Sequence, residues 1–391
     1  MNKLSRKNFL VRSGIILTVP AFLEYCASSS DARLAGKSGD DPLENANSEK
    51  YEEPILKAIN VGITAPNPHN TQPWKFKILN STEMHLYVDE KRILSITDVP
   101  SRQIHIGQGT FLELLKIGAK QIGYDTEIKL LPDGDYKLEE IGKKPVAKIK
   151  LSASKVSGHI LYDSIKLRAT NRALYEGNFI TEEEVTKLRE LANPENSELK
   201  FILNDSEMNP YREIFYNAAK LESYNEIKND ESRIWFRFND KEIQTKRDGI
   251  SLPGNAVTGF SRFMAETFFL GPEPKKFHDK QGIDIYLARY KERMKSIKGI
   301  VFWKTKTNTK KDWILTGMDY ARFHLGATKL GLKMHPMSEC LQEYSEMESI
   351  RLQMEALTGA KGNEKVQMIA RLGRSDYKFF SPRRSLKDMI V

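Results

Sequence analysis

Hydrophobic spacing predicts two long, related helices. In the first, apolar residues seven, four and seven positions apart fall on one helical face: Ile104, Phe111, Leu115 and Ile122. Residues 116–124 and 324–332 share one pattern at every position: polar, aliphatic, Gly, Ala, polar, polar, aliphatic, Gly, apolar. The final glycines, Gly123 and Gly331, stand where a left-handed C-cap ends a helix. The Gly-Ala pairs lower helix propensity, which predicts that two backbones or a flat ligand come close there.

A strand pattern precedes each of these helices. Residues 75–80 and 200–204 are alike and end in a polar turn. From the end of the strand to the helical Gly-Ala pair, the chain runs 38 residues in the first copy and 122 in the second. The second copy therefore carries an insertion of about 84 residues, within 205–311. Its Pro and Gly residues, which favour turns, lie around apolar clusters, and this pattern predicts a lid or a satellite layer.

The repeat predicts an α+β chain made of two related halves, 51–155 and 156–391, which form a pseudo-two-fold dimer around the central helices. Halves of this kind share an interface, and an interface is a natural place for a ligand. Under the alternative, two amphipathic helices resemble each other by chance. With two related halves, we expect a monomer that acts as a pseudo-dimer.

Composition narrows the function classes. Of 391 residues 40% are hydrophobic, and 61 Lys plus Arg against 52 Asp plus Glu give a net charge of +9. This composition excludes a long disordered chain, and the dispersed basic excess argues against nucleic acid as a partner. Two cysteines exclude a disulfide framework, and the seven histidines form no H-E-x-x-H motif, so we expect no metal.

The first fifty residues have the plan of an export signal and a flexible tether. Basic residues precede the apolar stretch 14–23, which is too short to span a bilayer. Residues 5–10 resemble a twin-arginine signal with Lys7 in place of the second arginine. Cys26 follows, although the residues before it make a poor lipobox. We expect an exported, periplasmic or cell-envelope protein, lipid-anchored through Cys26; under the alternative, these residues are a disordered arm of a cytoplasmic protein.

Residues 65–74, Ala-Pro-Asn-Pro-His-Asn-Thr-Gln-Pro-Trp, concentrate amides and an imidazole among prolines. We call them the amide segment. Proline restricts the backbone, and carboxamides both donate and accept, which suits a heterocycle edge with alternating C=O and N–H groups. The alternative is a capped turn whose Asn side chains bond the local backbone.

Residues 168–172, Arg-Ala-Thr-Asn-Arg, form the arginine segment. Its two guanidinium groups would form a fork around a phosphate, with the Thr170 hydroxyl as a neutral donor. The alternative is a solvated face. A further arginine pair, Arg383-Arg384, follows Pro382 near the end of the chain and indicates little by itself.

Together these segments resemble the FMN-dependent nitroreductases. The amide segment resembles their A-P-S-x-x-N-x-Q-P-W motif, and the arginine segment is similar to their R-R-S-x-R phosphate motif. Asn67 departs from the first pattern and Ala169 from the second. The order of segments, with one amide segment, one arginine segment, a long insertion and a terminal Pro-Arg-Arg, resembles the Acg-type branch, in which one chain takes the place of a dimer.

The resemblance implies one FMN per chain, in a composite site. The arginine segment would hold the phosphate, the ribityl chain or the ring edge, and the terminal arginines would close on the phosphate. The amide segment would reach the flavin from the other half. The loop after the second long helix would pass over the ring. The residues implied are Arg168, Thr170, Arg172, Pro66, Asn67, Asn70, Gln72, Pro336, Met337, Ser338, Arg383 and Arg384.

The resemblance also implies hydride chemistry at flavin N5, with no catalytic side chain. NAD(P)H or a membrane electron donor would reduce the flavin, and a nitroaromatic, a quinone or a similar small molecule would accept the hydride. The alternative is a catalytically weak FMN storage or sequestering protein, in which the insertion forms a lid over the flavin.

Overall fold

The computed structural model describes residues 51–391. The predicted export signal and the predicted anchor at Cys26 lie outside the described residues. The helices are α1 (Pro54–Gly62), α2 (Arg102–Gln121), α3 (Ser164–Leu167), α4 (Glu182–Ala192), α5 (Asp205–Tyr224), α6 (Glu226–Ile234), α7 (Asp240–Lys246), α8 (Gly259–Met264), α9 (Pro274–Phe277), α10 (Lys280–Lys295), α11 (Lys310–Lys329) and α12 (Glu348–Thr358). The strands are β1 (Trp74–Asn80), β2 (Glu83–Val88), β3 (Tyr124–Leu130), β4 (Ala147–Ala153), β5 (Glu198–Ile202), β6 (Phe236–Arg237), β7 (Ile250–Ser251), β8 (Gly299–Thr305), β9 (Lys333–Pro336) and β10 (Lys365–Gly373). The α+β class is confirmed.

Two four-stranded antiparallel sheets have the same strand order. The first runs β1-β2-β4-β3 and the second β5-β8-β10-β9, so each follows the order first, second, fourth, third. A 20-residue helix, α2 or α11, connects the second strand to the third in each sheet. A shorter helix, α1 or α4, precedes each first strand. The duplication and the boundary at residue 155 stay predictions.

The inserted segment lies between β5 and β8. It contains α5 to α10 and the two-stranded sheet β6-β7. Residues 299–305 form β8, a fully buried central strand of the second sheet, and α11 begins at Lys310. The extra elements therefore end earlier than the predicted limit at 311. The predicted polar end of the strand is Asn204, whose side chain accepts from Ser206 N and begins α5.

The central helices α2 and α11 cross where their backbones touch. A Cβ on Gly109 would lie 1.8 Å from the carbonyl oxygen of Ile314, and a Cβ on Gly317 would lie 2.0 Å from that of Ile106. Both glycines are the eighth residue of their helix. Only glycine permits this approach, so this pair of positions lets α2 and α11 come into backbone contact.

The predicted Gly-Ala pairs have a different neighbour. A Cβ on Gly118 would lie 2.7 Å from Cβ of Val61 in α1, and one on Gly326 would lie 3.2 Å from Cβ of Leu191 in α4. Each pair therefore packs a long helix on the short helix that precedes the same sheet. The left-handed residues after α2 and α11 are confirmed, with φ of 82° at Gly123 and 74° at Gly331.

The C-terminal segment returns from the second sheet to the first. Leu386 and Met389 are buried in the same core as α1, α2 and the first sheet. The amide of Val391 donates to the carbonyl of Phe76 at 3.0 Å, which ties the chain end to β1. This return places Arg383 beside the amide segment, more than 300 residues away in sequence.

A buried histidine in α2 makes stability pH-dependent. His105 is fully buried between the carbonyl of Ser101 and the hydroxyl of Tyr136, at 2.6 and 2.8 Å, and burial lowers its pKa to about 4. The unfolded chain binds this proton near pH 6.5, so stability present above that pH is lost as pH falls toward 4.

We expect His105→Gln to reduce the pH dependence of the free energy of unfolding by about 2–3 kcal/mol between about pH 7.5 and 4.5. Urea unfolding at the two pH values measures this change. His85→Gln on β2, where the side chain is partly exposed, is the control. An equal pH dependence in wild type and His105→Gln would contradict the assignment.

Candidate functional site

Two adjoining cavities lie among the amide segment, the arginine segment and the insertion. The smaller encloses about 690 Å³ and the larger about 1070 Å³, mouths included. They share Pro66, Asn67, Thr170, Arg172 and Ile250, so the two cavities adjoin and form one candidate site. Nine of the twelve implied residues line this space: Pro66, Asn67, Asn70, Arg168, Thr170, Arg172, Pro336, Ser338 and Arg383.

Three implied residues do not line either cavity. Met337, the residue after β9, is fully buried in a core that includes residues of β8 and β10. Gln72 is fully buried and bonds Arg247 O at 2.8 Å, while its Oε1 accepts from the amide of Arg384 at 2.8 Å. The Arg384 guanidinium donates to Asp388 O at 3.0 Å, away from the cavities.

The amide segment is a tight turn with an uncommon backbone. His69, Asn70 and Gln72 have φ of 49°, 52° and 52°, in the left-handed region that non-glycine residues seldom adopt. The Asn67 side chain closes the turn by accepting from Gln72 N at 2.8 Å. Hydrogen bonds from elsewhere in the chain must hold this conformation.

The side chain of Asn70 supplies two of these bonds. Its Nδ2 donates to Pro382 O at 3.2 Å, and its Oδ1 accepts from Arg383 Nη1 at 2.8 Å. Its own carbonyl accepts from Gly249 N at 3.1 Å, in the insertion. The Asn67 side chain therefore bonds the local backbone, as in the capped-turn alternative, whereas Asn70 and Gln72 join the amide segment to the C-terminal segment and to the insertion. Asn67 and Asn70 also line the smaller cavity.

The arginine segment is fixed to the edge of the second sheet. Thr170 pairs with Met334 of β9 in an isolated parallel bridge, and the amide of Asn171 donates to Met334 O at 3.0 Å. Arg168 is 6% exposed, and its Nη2 donates to Thr64 O at 2.8 Å. Its Nε has no hydrogen-bond partner in the described chain. An unpaired buried donor is costly, so this atom marks a place for an acceptor.

Three arginines give the smaller cavity a positive charge that no carboxylate ion pair in the described residues balances. In residues 51–391, Arg168, Arg172 and Arg383 make no ion pair with a carboxylate. Burial lowers the pKa of Arg168 to about 10 and that of Arg383 to about 9, where the nearby Arg168 charge adds to the effect. Burial and the charge of Arg293 also lower the pKa of Arg172. Buried cations without partners favour an anionic ligand.

The three arginines differ in how many donors they leave for a ligand. Arg383 bonds the carbonyls of Ile63, Thr64 and Ala65 besides Asn70, so its guanidinium organises the turn. Arg172 makes one long bond, from Nη1 to Gly254 O at 3.3 Å. Arg168 also makes one side-chain bond, so Arg168 and Arg172 leave more donors free at the cavities than Arg383 does.

The larger cavity is lined by residues that sequence reasoning missed. The hydroxyl of Tyr320, on α11, is buried without a partner in the described chain and lies near the charges of Arg168 and Arg172. The insertion supplies Glu222, Ser232 and Tyr286. The prediction that the insertion forms a lid implies that some of its residues line the site. No local pattern in the sequence distinguishes these three side chains from those of ordinary helical residues.

In residues 51–391, no three His, Cys, Asp or Glu side chains form a group that could hold a metal ion. Within the same range, no helix has the length and apolar character needed to cross a membrane.

Sequence comparison relates the chain to one group of proteins. Over 121 residues it is 29% identical to the putative NAD(P)H nitroreductase acg of Mycobacterium tuberculosis, covering 30% of this chain and 34% of that protein. Over 125 residues it is 24% identical to a second putative NAD(P)H nitroreductase of that organism, covering 32% and 34%. The chain thus spans about a third of the length of the curated relatives it matches. No family model matches it. The predicted resemblance to the Acg-type branch is confirmed over this part of the chain.

Comparison with solved structures gives weaker likenesses. The FMN- and NADPH-dependent nitroreductase NfnB from Sphigopyxis sp. strain HMH is 13% identical, with a TM-score of 0.39 over 60% of this chain and 98% of that chain. NfnB from Mycobacterium smegmatis, solved with NADPH, is 16% identical, with a TM-score of 0.37 over 57% and 94%. Scores of this size do not establish a shared fold.

Proposed function

Since the chain is a distant member of the nitroreductase superfamily, we propose that it binds one FMN per chain and acts as a flavin-dependent oxidoreductase. The acceptor is a nitroaromatic, a quinone or a similar small molecule. The observation that carries this proposal is the arginine segment, whose residues Arg168, Thr170 and Arg172 line the cavities. Neither arginine forms an ion pair with a carboxylate in the described residues.

The donor set fits the phosphate of FMN. Guanidinium groups and a hydroxyl are the donors that phosphate oxygens accept from, and a buried anion would compensate the charges that the described chain leaves unpaired. The unpartnered Nε of Arg168 and hydroxyl of Tyr320 are donors in the same space. The site takes the amide segment from the first half and the arginine segment from the second, which supports one flavin per chain.

When bound, the flavin would supply hydride transfer at N5. The residues of this chain would bind and orient it and exclude water. Arg168, Thr170 and Arg172 would hold the phosphate end, and Asn67 with Pro66 would border the ring. Pro336 and Ser338 line the larger cavity, where the acceptor would enter.

The second candidate function is FMN storage, and the insertion favours it. Gly249, Ile250, Ser251 and Gly254 line the smaller cavity, and further inserted residues line the larger one. An insertion that covers both cavities would restrict the entry of a nicotinamide. The proposed export of the chain also bears on the donor, because a membrane electron carrier would then replace NAD(P)H.

An absorption spectrum of the purified protein tests the flavin, with an expected content of one FMN per chain. Colourless protein that binds no added FMN, or two flavins per chain, would contradict the proposal. Anaerobic mixing with NADH and NADPH separates the two functions, because rapid bleaching supports an oxidoreductase with a nicotinamide donor. If the bound flavin keeps its colour after addition of NADH, of NADPH and of a quinol, the result supports storage.

A further inference from the structure

We propose that Glu222, on helix α5 of the insertion, donates a proton to the acceptor in the larger cavity, and that Ser232 and His69 return a proton to it. This inference rests on the proposed oxidoreductase function and adds a catalytic side chain to it. The insertion would then be part of the reaction site as well as a cover.

The geometry joins three elements into one hydrogen-bonded path. Glu222, Ser232 and His69 all line the larger cavity. The hydroxyl of Ser232, on α6, lies 3.5 Å from Oε1 of Glu222 and 3.1 Å from Nε2 of His69 in the amide segment. The second carboxyl oxygen of Glu222, Oε2, is buried and has no hydrogen-bond partner in the described chain. This oxygen is the one available to a ligand.

A second, independent observation marks the same wall of the cavity. Gln342 is 5% exposed and lines the larger cavity, and its Oε1 also has no partner within residues 51–391. Oε2 of Glu339 is also buried and has no hydrogen-bond partner within residues 51–391. Three buried acceptor atoms without donors are unfavourable unless one carries a proton or a ligand supplies one.

Burial keeps the proton on Glu222. It raises the pKa of Glu222 to about 8, the nearby carboxylates Glu339 and Glu231 act in the same direction, and hydrogen bonds from Gln342 and Ser232 act in the opposite one. Burial, with the charge of Arg172, lowers the pKa of His69 to about 4, so that imidazole is neutral and can relay a proton. The other groups that face Glu222 or its partners are Ser232, Tyr286, Gln342 and Tyr344.

The step balances for a quinone acceptor. The quinone takes a hydride equivalent, two electrons and one proton, from the reduced flavin and a second proton from Glu222. The carboxyl O–H bond breaks as the hydroquinone O–H bond forms, and the flavin is oxidised. The Glu222 carboxylate then regains a proton from water by way of His69 and Ser232. A positioned acid of this kind typically contributes about 10²-fold or more to the rate.

The test compares Glu222→Gln with Glu213→Gln, which makes the same chemical change on an exposed position of the same helix. The first measurement is an infrared difference spectrum across the pKa of about 8. We expect a protonated-carboxyl band in wild type and Glu213→Gln and its loss in Glu222→Gln. This readout needs no turnover, and bound FMN in every variant shows that the site is intact.

The second measurement is the rate at which p-benzoquinone reoxidises the chemically reduced flavin. In wild type this rate should fall as pH rises through about 8, because only the protonated acid is active. In Glu222→Gln it should be about 10²-fold slower and independent of this pH range. An unchanged rate in Glu222→Gln with bound flavin would overturn the inference alone. Wild type that is colourless and binds no added FMN would overturn the proposed function, and this inference with it.

Discussion

Replacing Arg172 by glutamine is expected to weaken FMN binding by about 10²-fold while leaving the flavin-free protein at least as stable as wild type. Both effects have one cause. The Arg172 charge is partly buried and has no carboxylate ion pair in the described chain, so without an anion it costs free energy. With a phosphate in place, losing a charged, hydrogen-bonded partner costs about 3 kcal/mol.

Arg351→Gln on α12 is the matched control, because Arg351 pairs with the carboxylate of Glu355 on the same helix. FMN titration measures the affinity, and thermal unfolding of the flavin-free protein measures the stability. Unchanged affinity in Arg172→Gln would show that the arginine segment does not hold the phosphate. A large loss of stability without flavin would instead show that Arg172 has a structural role.

Gly317→Ala is expected to destabilise the protein by about 3 kcal/mol or more. The added Cβ would lie 2.0 Å from the carbonyl oxygen of Ile106 and 2.9 Å from Cα of Gly109. Backbone atoms cannot rotate away, so α2 and α11 must separate and lose packing along their length. The loss exceeds the gain of about 1 kcal/mol in helix propensity from glycine to alanine.

Gly326→Ala in the same helix gives the matched comparison. Its Cβ would lie 3.2 Å from Cβ of Leu191, where a shift of a few tenths of an ångström relieves the contact. The helix-propensity gain is the same in both variants, so the difference isolates the backbone contact. Urea unfolding measures both free energies, and equal values for the two variants would contradict a backbone contact between α2 and α11.

The fold was predictable where the determinants are local. The spacing of Phe111 and its neighbours specifies a helix, and Gly331 ends the second one with a left-handed residue. The glycines at which the central helices touch were not predictable in the same way. Gly109 and Gly118 lie in one helix, and only the direction that each faces in the folded molecule distinguishes a contact with α11 from a contact with α1.

In the candidate site, too, the local features were predictable from the sequence and the long-range contacts were not. The Arg168 and Arg172 spacing indicated an anion fork, and both side chains line the cavities. The Asn70 side chain accepts from Arg383, which is far away in sequence, and no local pattern indicated this contact. Glu222 had no distinguishing local pattern, because a buried acid next to another carboxylate looks in sequence like any helical glutamate.

By itself, the sequence determined the two long helices, the paired strands, the insertion and the two polar segments, because periodicity and residue type act over a few turns of chain. The tertiary structure alone decided which donors remain free. Arg383 uses its hydrogen bonds to hold the turn, whereas Arg172 makes one such bond and lines both cavities. Such pairings depend on contacts between residues far apart in the chain, and burial then sets their charge states.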